Sequence, residues 1–131
     1  MEKNPWGKTK VCIIDDADDI REIYSVKFLT EDYDVVSAKD GEEGLRLIRE
    51  EKPDVILLDL QMPVKDGFAV LKELRDDAEL KHIPVLILSN VDDEQTFKKV
   101  GSFETRFYLI KSLVTPQKVV DTVREALRFS L

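Results

Sequence analysis

The sequence has few residues that could cross-link the chain covalently or through a metal. It contains one cysteine, Cys12, and one histidine, His82, among 131 residues. A lone cysteine excludes an internal disulfide and favours a reducing compartment. One cysteine and one histidine do not supply the ligands of a zinc site. Because Cys12 lies in an apolar run, it is predicted to be a buried core thiol.

Long apolar runs and excess positive charge are also missing. No stretch approaches the ~20 apolar residues that a helix needs to cross a bilayer, and residues 1–10 lack the apolar segment of a signal peptide. The chain carries 20 Lys and Arg against 27 Asp and Glu, a net charge of −7, which disfavours nucleic acid as a partner. We therefore expect a cytoplasmic protein without membrane insertion and without direct nucleic-acid contacts.

The length and the apolar content of 43% are typical of one globular domain. Residues 1–9 show no periodicity and predict a flexible lead-in, whereas residues 10–131 predict the domain itself; the sequence assigns no role to Trp6. Short runs rich in Val, Ile and Leu alternate with segments of helical periodicity. This alternation predicts a parallel α/β sheet of five strands covered by five helices.

The predicted elements follow from this periodicity. The strands are expected at 11–14, 35–36, 55–58, 85–88 and 107–110, and the helices at about 18–30, 41–51, 66–76, 92–100 and from Thr115 and Pro116 onward. The buried face of the first helix is expected to carry Ile20, Ile23, Tyr24 and Phe28. The strong core candidates of the weak fourth helix are Phe97 and Val100.

Polar side chains stand at the ends of four predicted strands. They are Asp15 and Asp16 after the first, Asp59 after the third, Ser89 at the fourth and Lys111 at the end of the fifth. Since the carboxyl ends of parallel strands lie along one edge of the sheet, we expect these side chains to meet there. Three neighbouring carboxylates need a cation or a raised pKa. Such hard oxygen ligands suit Mg²⁺ better than zinc.

Each of these residues taken singly also fits an ordinary structural role. Asp15 and Asp16 could cap the first helix, and Asp59 could be a turn residue. Ser89 could be a loop hydroxyl and Lys111 a solvated lysine. The joint placement of acid, acid, hydroxyl and amine at four strand ends favours a functional site.

These residues, together with the sequence DLQMPVKDG at 59–67, resemble the receiver domain of two-component response regulators. The resemblance covers about residues 10–129. It implies a flavodoxin-like, doubly wound sheet with strand order 2-1-3-4-5, as in single-domain chemotaxis regulators. The implied function is a phosphorylation-dependent signalling switch in a two-component phosphorelay.

The resemblance also implies a metal site and its chemistry. Asp59 would be the phosphoacceptor. Mg²⁺ would be bound by Asp15, Asp16 and Asp59, together with the backbone carbonyl of Gln61. The domain would catalyse its own phosphoryl transfer and dephosphorylation, and the sequence leaves open whether it is an enzyme in any further sense.

The remaining roles concern the phosphoryl group and the partners. Lys111 would pair with the phosphoryl oxygens, Ser89 would hydrogen-bond one of them, and Tyr108 would be the switch aromatic, although an aromatic at this position also fits the core. The implied phosphoryl donor is a sensor histidine kinase or a histidine phosphotransfer protein, and the output is contact with a downstream protein. The resemblance further allows a dimer through the face of the fourth helix, fifth strand and fifth helix.

The sequence departs from the family pattern at four places. Ser112 follows the lysine where proline, often with a cis bond, is usual, and Asn90 follows the serine where a small residue is usual. Ala17 replaces an acidic residue, and Gly101 lies further from the fifth strand than usual. We therefore expect altered loops after the fourth and fifth strands and an altered output surface.

Two other function classes stay open at this point. A metal-dependent phosphohydrolase of the haloacid-dehalogenase type would have a second acid two residues after the nucleophile, and Gln61 occupies that position. A receiver-like interaction module that never accepts phosphate is the other, and the departures at Asn90 and Ser112 are compatible with it. Because the chain stops at Leu131, we expect either a stand-alone receiver or one domain of a longer regulator.

Overall fold

The computed structural model describes residues 7–129 and contains five strands alternating with five α-helices. The strands are β1 (Lys10–Ile14), β2 (Asp34–Ala38), β3 (Val55–Leu58), β4 (Val85–Ser89) and β5 (Phe107–Ile110). The helices are α1 (Asp18–Thr30), α2 (Gly41–Glu51), α3 (Gly67–Asp76), α4 (Glu94–Ser102) and α5 (Pro116–Phe129). A short 3₁₀ turn, Lys111–Leu113, lies between β5 and α5.

The strands form one parallel sheet in the order β2-β1-β3-β4-β5, which confirms the predicted fold class. The central strands β1, β3 and β4 are buried along almost their whole length, and the edge strands β2 and β5 are mostly half-buried. Helices α2, α3 and α4 cover one face, and α1 and α5 cover the other. A sheet covered on both faces explains why the three central runs are continuously apolar.

Local capping signals set the helix starts. The carboxylates of Asp40, Asp66 and Asp93 each accept the N–H of the residue three positions later, which caps α2, α3 and α4. Thr115 Oγ1 accepts the N–H of Lys118 at 3.1 Å at the start of α5. The predicted bounds of α1, α2 and α3 agree with the structure to within one residue, whereas α4 begins and ends two residues later than expected, although Asp93 caps it. None of the helices within residues 7–129 is long and apolar enough to cross a membrane.

Two residues predicted for the core are exposed. The exposed fractions are 49% for Ile23 and 42% for Phe97, although Tyr24, Phe28 and Val100 are buried as predicted. α1 faces the sheet through Tyr24 and Phe28, so Ile23, about 100° around the helix from Tyr24, points away from it. Phe97 packs its ring edge-to-face against Tyr108, with the ring centroids 4.8 Å apart.

The predicted lead-in falls largely outside the described residues, which begin at Gly7 and do not include Trp6. Residues 7–9 have no regular secondary structure, and Lys8 Nζ lies 3.4 Å from Asp32 Oδ1. The division of the chain at residues 9 and 10 stays a prediction.

The link between α4 and β5, residues 103–106, is held by one side chain of α3. The Arg75 guanidinium donates to the carbonyl of Phe103 at 2.7 Å and to Thr105 Oγ1 at 3.1 Å. It also donates to the carbonyls of Lys81 and Ile83, before β4. Residues 103–106 are therefore anchored at the edge of the sheet where the strands begin.

Candidate functional site

Three carboxylates meet just beyond the ends of β1 and β3. These strands are neighbours in the sheet, and the Asp59 N–H donates to the Ile14 carbonyl at 3.0 Å, which places Asp15 beside Asp59. Carboxylate oxygens of Asp15, Asp16 and Asp59 all lie within 4.8 Å of one another. Asp15 and Asp59 are only 3% and 6% exposed, whereas Asp16 is open to solvent. The cluster can therefore offer oxygen ligands to a cation from one accessible side.

Lys111 brings a positive charge to this cluster. Its Nζ lies 2.6 Å from Asp15 Oδ2 and 3.4 Å from Asp59 Oδ2. Burial by itself would lower the pKa of Lys111, but the contacts with Asp15 and Asp59 outweigh burial and raise that pKa. The amine therefore stays protonated, and one ammonium beside three carboxylates leaves an excess of negative charge.

Asp59 is less firmly bonded than Asp15. Asp15 Oδ1 accepts the Ala17 N–H at 2.9 Å and its Oδ2 faces Lys111, whereas Asp59 Oδ1 accepts only a long 3.4 Å hydrogen bond from the Gln61 N–H. Burial raises the pKa of Asp59; Lys111 opposes the shift and the charge of Asp15 adds to it. Ionised Asp59 is thus held in surroundings that favour a neutralising cation.

The alternative that Asp15 and Asp16 cap α1 does not match the geometry. The N-cap residue of α1 is Ala17, which makes no side-chain cap. Asp15 Oδ1 accepts the N–H of Ala17 itself, outside the helix. Arg21, which the sequence analysis did not single out, donates from Nη1 to the Asp15 carbonyl at 2.8 Å and pairs with Asp18. It therefore helps to fix the backbone that carries the acidic pair.

Ser89 and Tyr108 both contact the loop after β4. Ser89 is fully buried and its Oγ accepts the Val91 N–H at 3.3 Å. The Tyr108 hydroxyl donates to the Val91 carbonyl at 2.5 Å, and burial raises the pKa of Tyr108. Tyr108 therefore connects this loop to β5 and to its ring partner Phe97 on α4.

The fifth strand occupies the predicted residues 107–110, and Lys111 directly follows it. β5 ends at Ile110, and Lys111 is the first residue of the 3₁₀ turn that leads to α5. No cis peptide bond occurs among the described residues, including the bond before Ser112. The amine still reaches the strand ends, because β5 adjoins β4 at that edge of the sheet.

Gly67 allows α3 to begin directly against the peptide of Asp59. A Cβ at position 67 would lie 2.4 Å from the Asp59 carbonyl oxygen and 2.7 Å from Leu60 Cα. The Gly67 N–H also donates to the Leu60 carbonyl at 2.9 Å. Any side chain at this position must therefore displace the backbone of the site.

We expect Gly67→Ala to lower the free energy of unfolding by about 1–3 kcal/mol, the usual cost of overpacking. Gly101→Ala is the matched control, because a Cβ there meets nothing within 4 Å and the residue lies in α4. That control should be neutral or stabilising by up to about 1 kcal/mol, since alanine favours a helix. Urea unfolding followed by circular dichroism measures both; equal losses in the two variants would contradict the steric explanation.

Val64 holds a backbone conformation that a β-branched residue rarely adopts. Its φ is +68°, and the Lys65 N–H donates to the Pro63 carbonyl at 2.7 Å, which closes a three-residue turn. The Val64 side chain is 77% exposed, so its burial does not compensate for the strain. The Lys65 carbonyl in turn accepts the N–H of Gly41, which ties the turn to α2.

Val64→Gly should therefore stabilise the protein by about 1 kcal/mol, the cost of a positive φ less the extra freedom of glycine in the unfolded chain. Val64→Ala keeps the Cβ that makes a positive φ unfavourable and should gain less. Thermal and urea unfolding of the two variants test the assignment. A glycine variant less stable than the alanine variant would show that the turn is not strained.

The sequence of this chain is similar to those of known proteins. The family model described as "Response regulator receiver domain" matches residues 11–124. A probable transcriptional regulator, ycf27, from Porphyridium aerugineum is 36% identical over 121 residues, which are 92% of this chain and 49% of the relative. The chain thus spans about half the length of that curated relative.

Solved structures of similar proteins share the fold. The chemotaxis protein CheY4 of Vibrio cholerae superposes with a TM-score of 0.86 at 28% identity, covering 92% of this chain and 99% of CheY4. The BeF3-activated N-terminal receiver domain of RstA from Klebsiella pneumoniae has a TM-score of 0.83 at 25% identity, covering 92% of this chain and 99% of the RstA domain. Both similarities extend over nearly all of the described residues.

Proposed function

The chain belongs to the family of response regulator receiver domains, which are phosphorylation-dependent switches of two-component signalling, and we propose that Asp59 is the residue that accepts the phosphoryl group. The observation that carries this proposal is the position of Lys111 Nζ between two buried carboxylates, Asp15 and Asp59. Asp15 has short hydrogen bonds to both oxygens, whereas both contacts of Asp59 are 3.4 Å long. Of these two buried carboxylates, Asp59 is therefore the one with an oxygen available for attack.

The residues present fit Mg²⁺. Receiver domains generally use this ion at an acidic pocket, and here carboxylate oxygens of Asp15, Asp16 and Asp59 lie within 4.8 Å of one another with an excess of negative charge. We propose that these three residues and the Gln61 backbone carbonyl hold the ion. When bound, Mg²⁺ would neutralise charge on the carboxylates and on the phosphoryl oxygens.

The side chains of this protein then have separate tasks. A carboxylate oxygen of Asp59 attacks the phosphorus of a phosphohistidine; the new O–P bond forms as the P–N bond breaks, and the donor imidazole leaves with the bonding electrons and takes a proton. Protonated Lys111 pairs with the phosphoryl oxygens, and the Ser89 hydroxyl donates to one of them. These contacts are worth most where charge spreads over the phosphoryl oxygens.

Switching follows from the same contacts. The product adds negative charge to a cluster that already has an excess, so it is stable only in conformers where Ser89 and Lys111 reach it. Movement of the loop after β4 changes the position of the Val91 carbonyl, which accepts the hydrogen bond of the Tyr108 hydroxyl. The Tyr108 ring in turn packs against Phe97 on α4. We propose that this connection carries the signal to the surface of α4, β5 and α5.

The proposal is tested by phosphorylation in vitro. Wild-type protein with Mg²⁺ and acetyl phosphate should gain one phosphoryl group by intact mass, and with beryllofluoride it should give a bound signal in fluorine NMR. Addition of EDTA should abolish both results. If wild-type protein takes up neither group in the presence of Mg²⁺, the proposed function is wrong.

Receiver domains interact with histidine kinases and with downstream effectors. We propose for this chain a sensor histidine kinase or histidine phosphotransfer protein as donor, and a downstream protein as target. A cytoplasmic location and a dimer through α4, β5 and α5 are part of the same proposal. The partly exposed side chain of Phe97, packed against Tyr108, gives this surface an apolar element that a protein partner could cover.

A further inference from the structure

Two positions at which the sequence departs from the family pattern are bonded to each other. Asn90 Oδ1 accepts the backbone N–H of Ser112 at 2.8 Å. Asn90 is the first residue after β4, and Ser112 is the second residue of the 3₁₀ turn after β5. The bond therefore joins two loops at the carboxyl edge of the sheet.

The chemistry of both residues is needed for this bond. Proline at position 112 would have no N–H to donate, and alanine at position 90 would have no side-chain acceptor. The first N–H groups of a helical turn have no partner within the turn, so the Asn90 carboxamide caps this turn from another element. Because the donor is a backbone N–H, the carboxamide must present its oxygen.

The position of the bond relates it to the phosphoryl site. Asn90 directly follows Ser89, and Ser112 directly follows Lys111, the two side chains that would contact the phosphoryl oxygens. The same loop is fixed once more by the Tyr108 hydroxyl, 2.5 Å from the Val91 carbonyl. The backbone segments that carry Ser89 and Lys111 are thus tied to each other next to the site.

We propose that Asn90 is a positioning residue. It holds the loop after β4 and the 3₁₀ turn that begins at Lys111 in the relative placement that binds a phosphoryl group. This role rests on the proposed function of Asp59 and adds a residue to it. A lost neutral hydrogen bond typically corresponds to about a two- to tenfold change in an equilibrium constant. We expect an effect of this size on phosphoryl-group affinity.

The bond itself is tested without phosphorylation. In unphosphorylated wild-type protein, the Ser112 amide should exchange slowly with solvent by NMR. Asn90→Leu has nearly the same shape but no acceptor and should make this exchange faster, as should Asn90→Ala, whereas Asn90→Asp keeps an acceptor oxygen and should restore protection. Equal exchange in wild type and both apolar variants would show that the bond does not form in solution.

The positioning role is tested by beryllofluoride titration with Mg²⁺, followed by NMR. Asn90→Leu and Asn90→Ala should bind two- to tenfold more weakly than wild type, and Ser112→Ala, which keeps the donating N–H, should bind as wild type does. Faster Ser112 exchange with unchanged beryllofluoride affinity would overturn the positioning role and leave the proposed function intact. Failure of wild type to bind beryllofluoride would instead overturn the proposed function, and with it the role of Asn90.

Discussion

Asp59→Asn is expected to abolish phosphorylation by acetyl phosphate and binding of beryllofluoride, and at the same time to stabilise the metal-free protein. The carboxamide has nearly the shape of the carboxylate but cannot act as the nucleophile. The substitution also removes a buried carboxylate. Burial raises the pKa of this carboxylate, Lys111 opposes the shift, and the charge of Asp15 adds to it. We expect a gain of about 1–2 kcal/mol in the free energy of unfolding at neutral pH in EDTA.

The difference in stability between Asp59→Asn and wild type should depend on pH. Since the pKa of Asp59 is raised in the folded protein, the folded state holds the Asp59 proton more tightly than the unfolded state does. Wild-type stability therefore falls as pH rises from the unfolded pKa through the raised folded pKa. The advantage of Asp59→Asn should appear across this window and should be absent at pH values below it.

Urea unfolding in EDTA at several pH values measures this advantage. Asp92→Asn is the control, because Asp92 is an exposed loop residue and its replacement should change stability by less than about 0.5 kcal/mol. If Asp59→Asn is less stable than wild type at neutral pH, Asp59 is not electrostatically strained. If it still gains a phosphoryl group, another residue is the acceptor.

Lys111→Met is expected to produce the largest loss of stability. Methionine keeps most of the aliphatic stem but removes the amine that lies near Asp15 and Asp59, whose carboxylates are almost fully buried. Breaking a buried ion pair by deleting one partner typically costs about 3–5 kcal/mol, because the remaining charges are left unpaired. We expect a loss of this size at neutral pH without Mg²⁺, together with much weaker beryllofluoride binding.

Two conditions should restore stability if this explanation is correct. Acid should reduce the loss as Asp59, whose pKa is raised, becomes protonated, and Mg²⁺ should reduce it by supplying another cation. The raised pKa of Lys111 means that the wild-type amine stays charged at neutral pH, so its stabilisation is lost only as alkaline pH passes through that raised value. The control Lys98→Met removes an exposed lysine paired with Glu94 and should cost at most about 0.5 kcal/mol. Equal losses in the two variants would refute the assignment of Lys111 to the cluster.

Much of the fold could be predicted from local signals. Apolar runs and helical periodicity predicted how strands and helices alternate along the chain. Capping residues such as Asp66 and Thr115 predicted two of the helix starts. Both kinds of signal depend on residues within one or two turns of each other. The fourth helix was the least accurate, since Val100 is its one fully buried residue and offers little periodicity. The exposure of Ile23 and Phe97 also could not be read from spacing, because it depends on which flank of each helix the sheet leaves uncovered.

The sequence by itself determined which residue types stand at the strand ends, because the strand-to-loop transitions are local and the parallel sheet brings them to one edge. Only the tertiary structure decided how those side chains are bonded: Lys111 closer to Asp15 than to Asp59, and Asn90 joined to Ser112 across two loops. It also revealed that Gly67 lies against the Asp59 peptide. The contacts of Lys111 and Asn90 join segments distant in the chain, and all of these distances depend on strand register, helix packing and backbone turns together, which no local pattern of residues encodes.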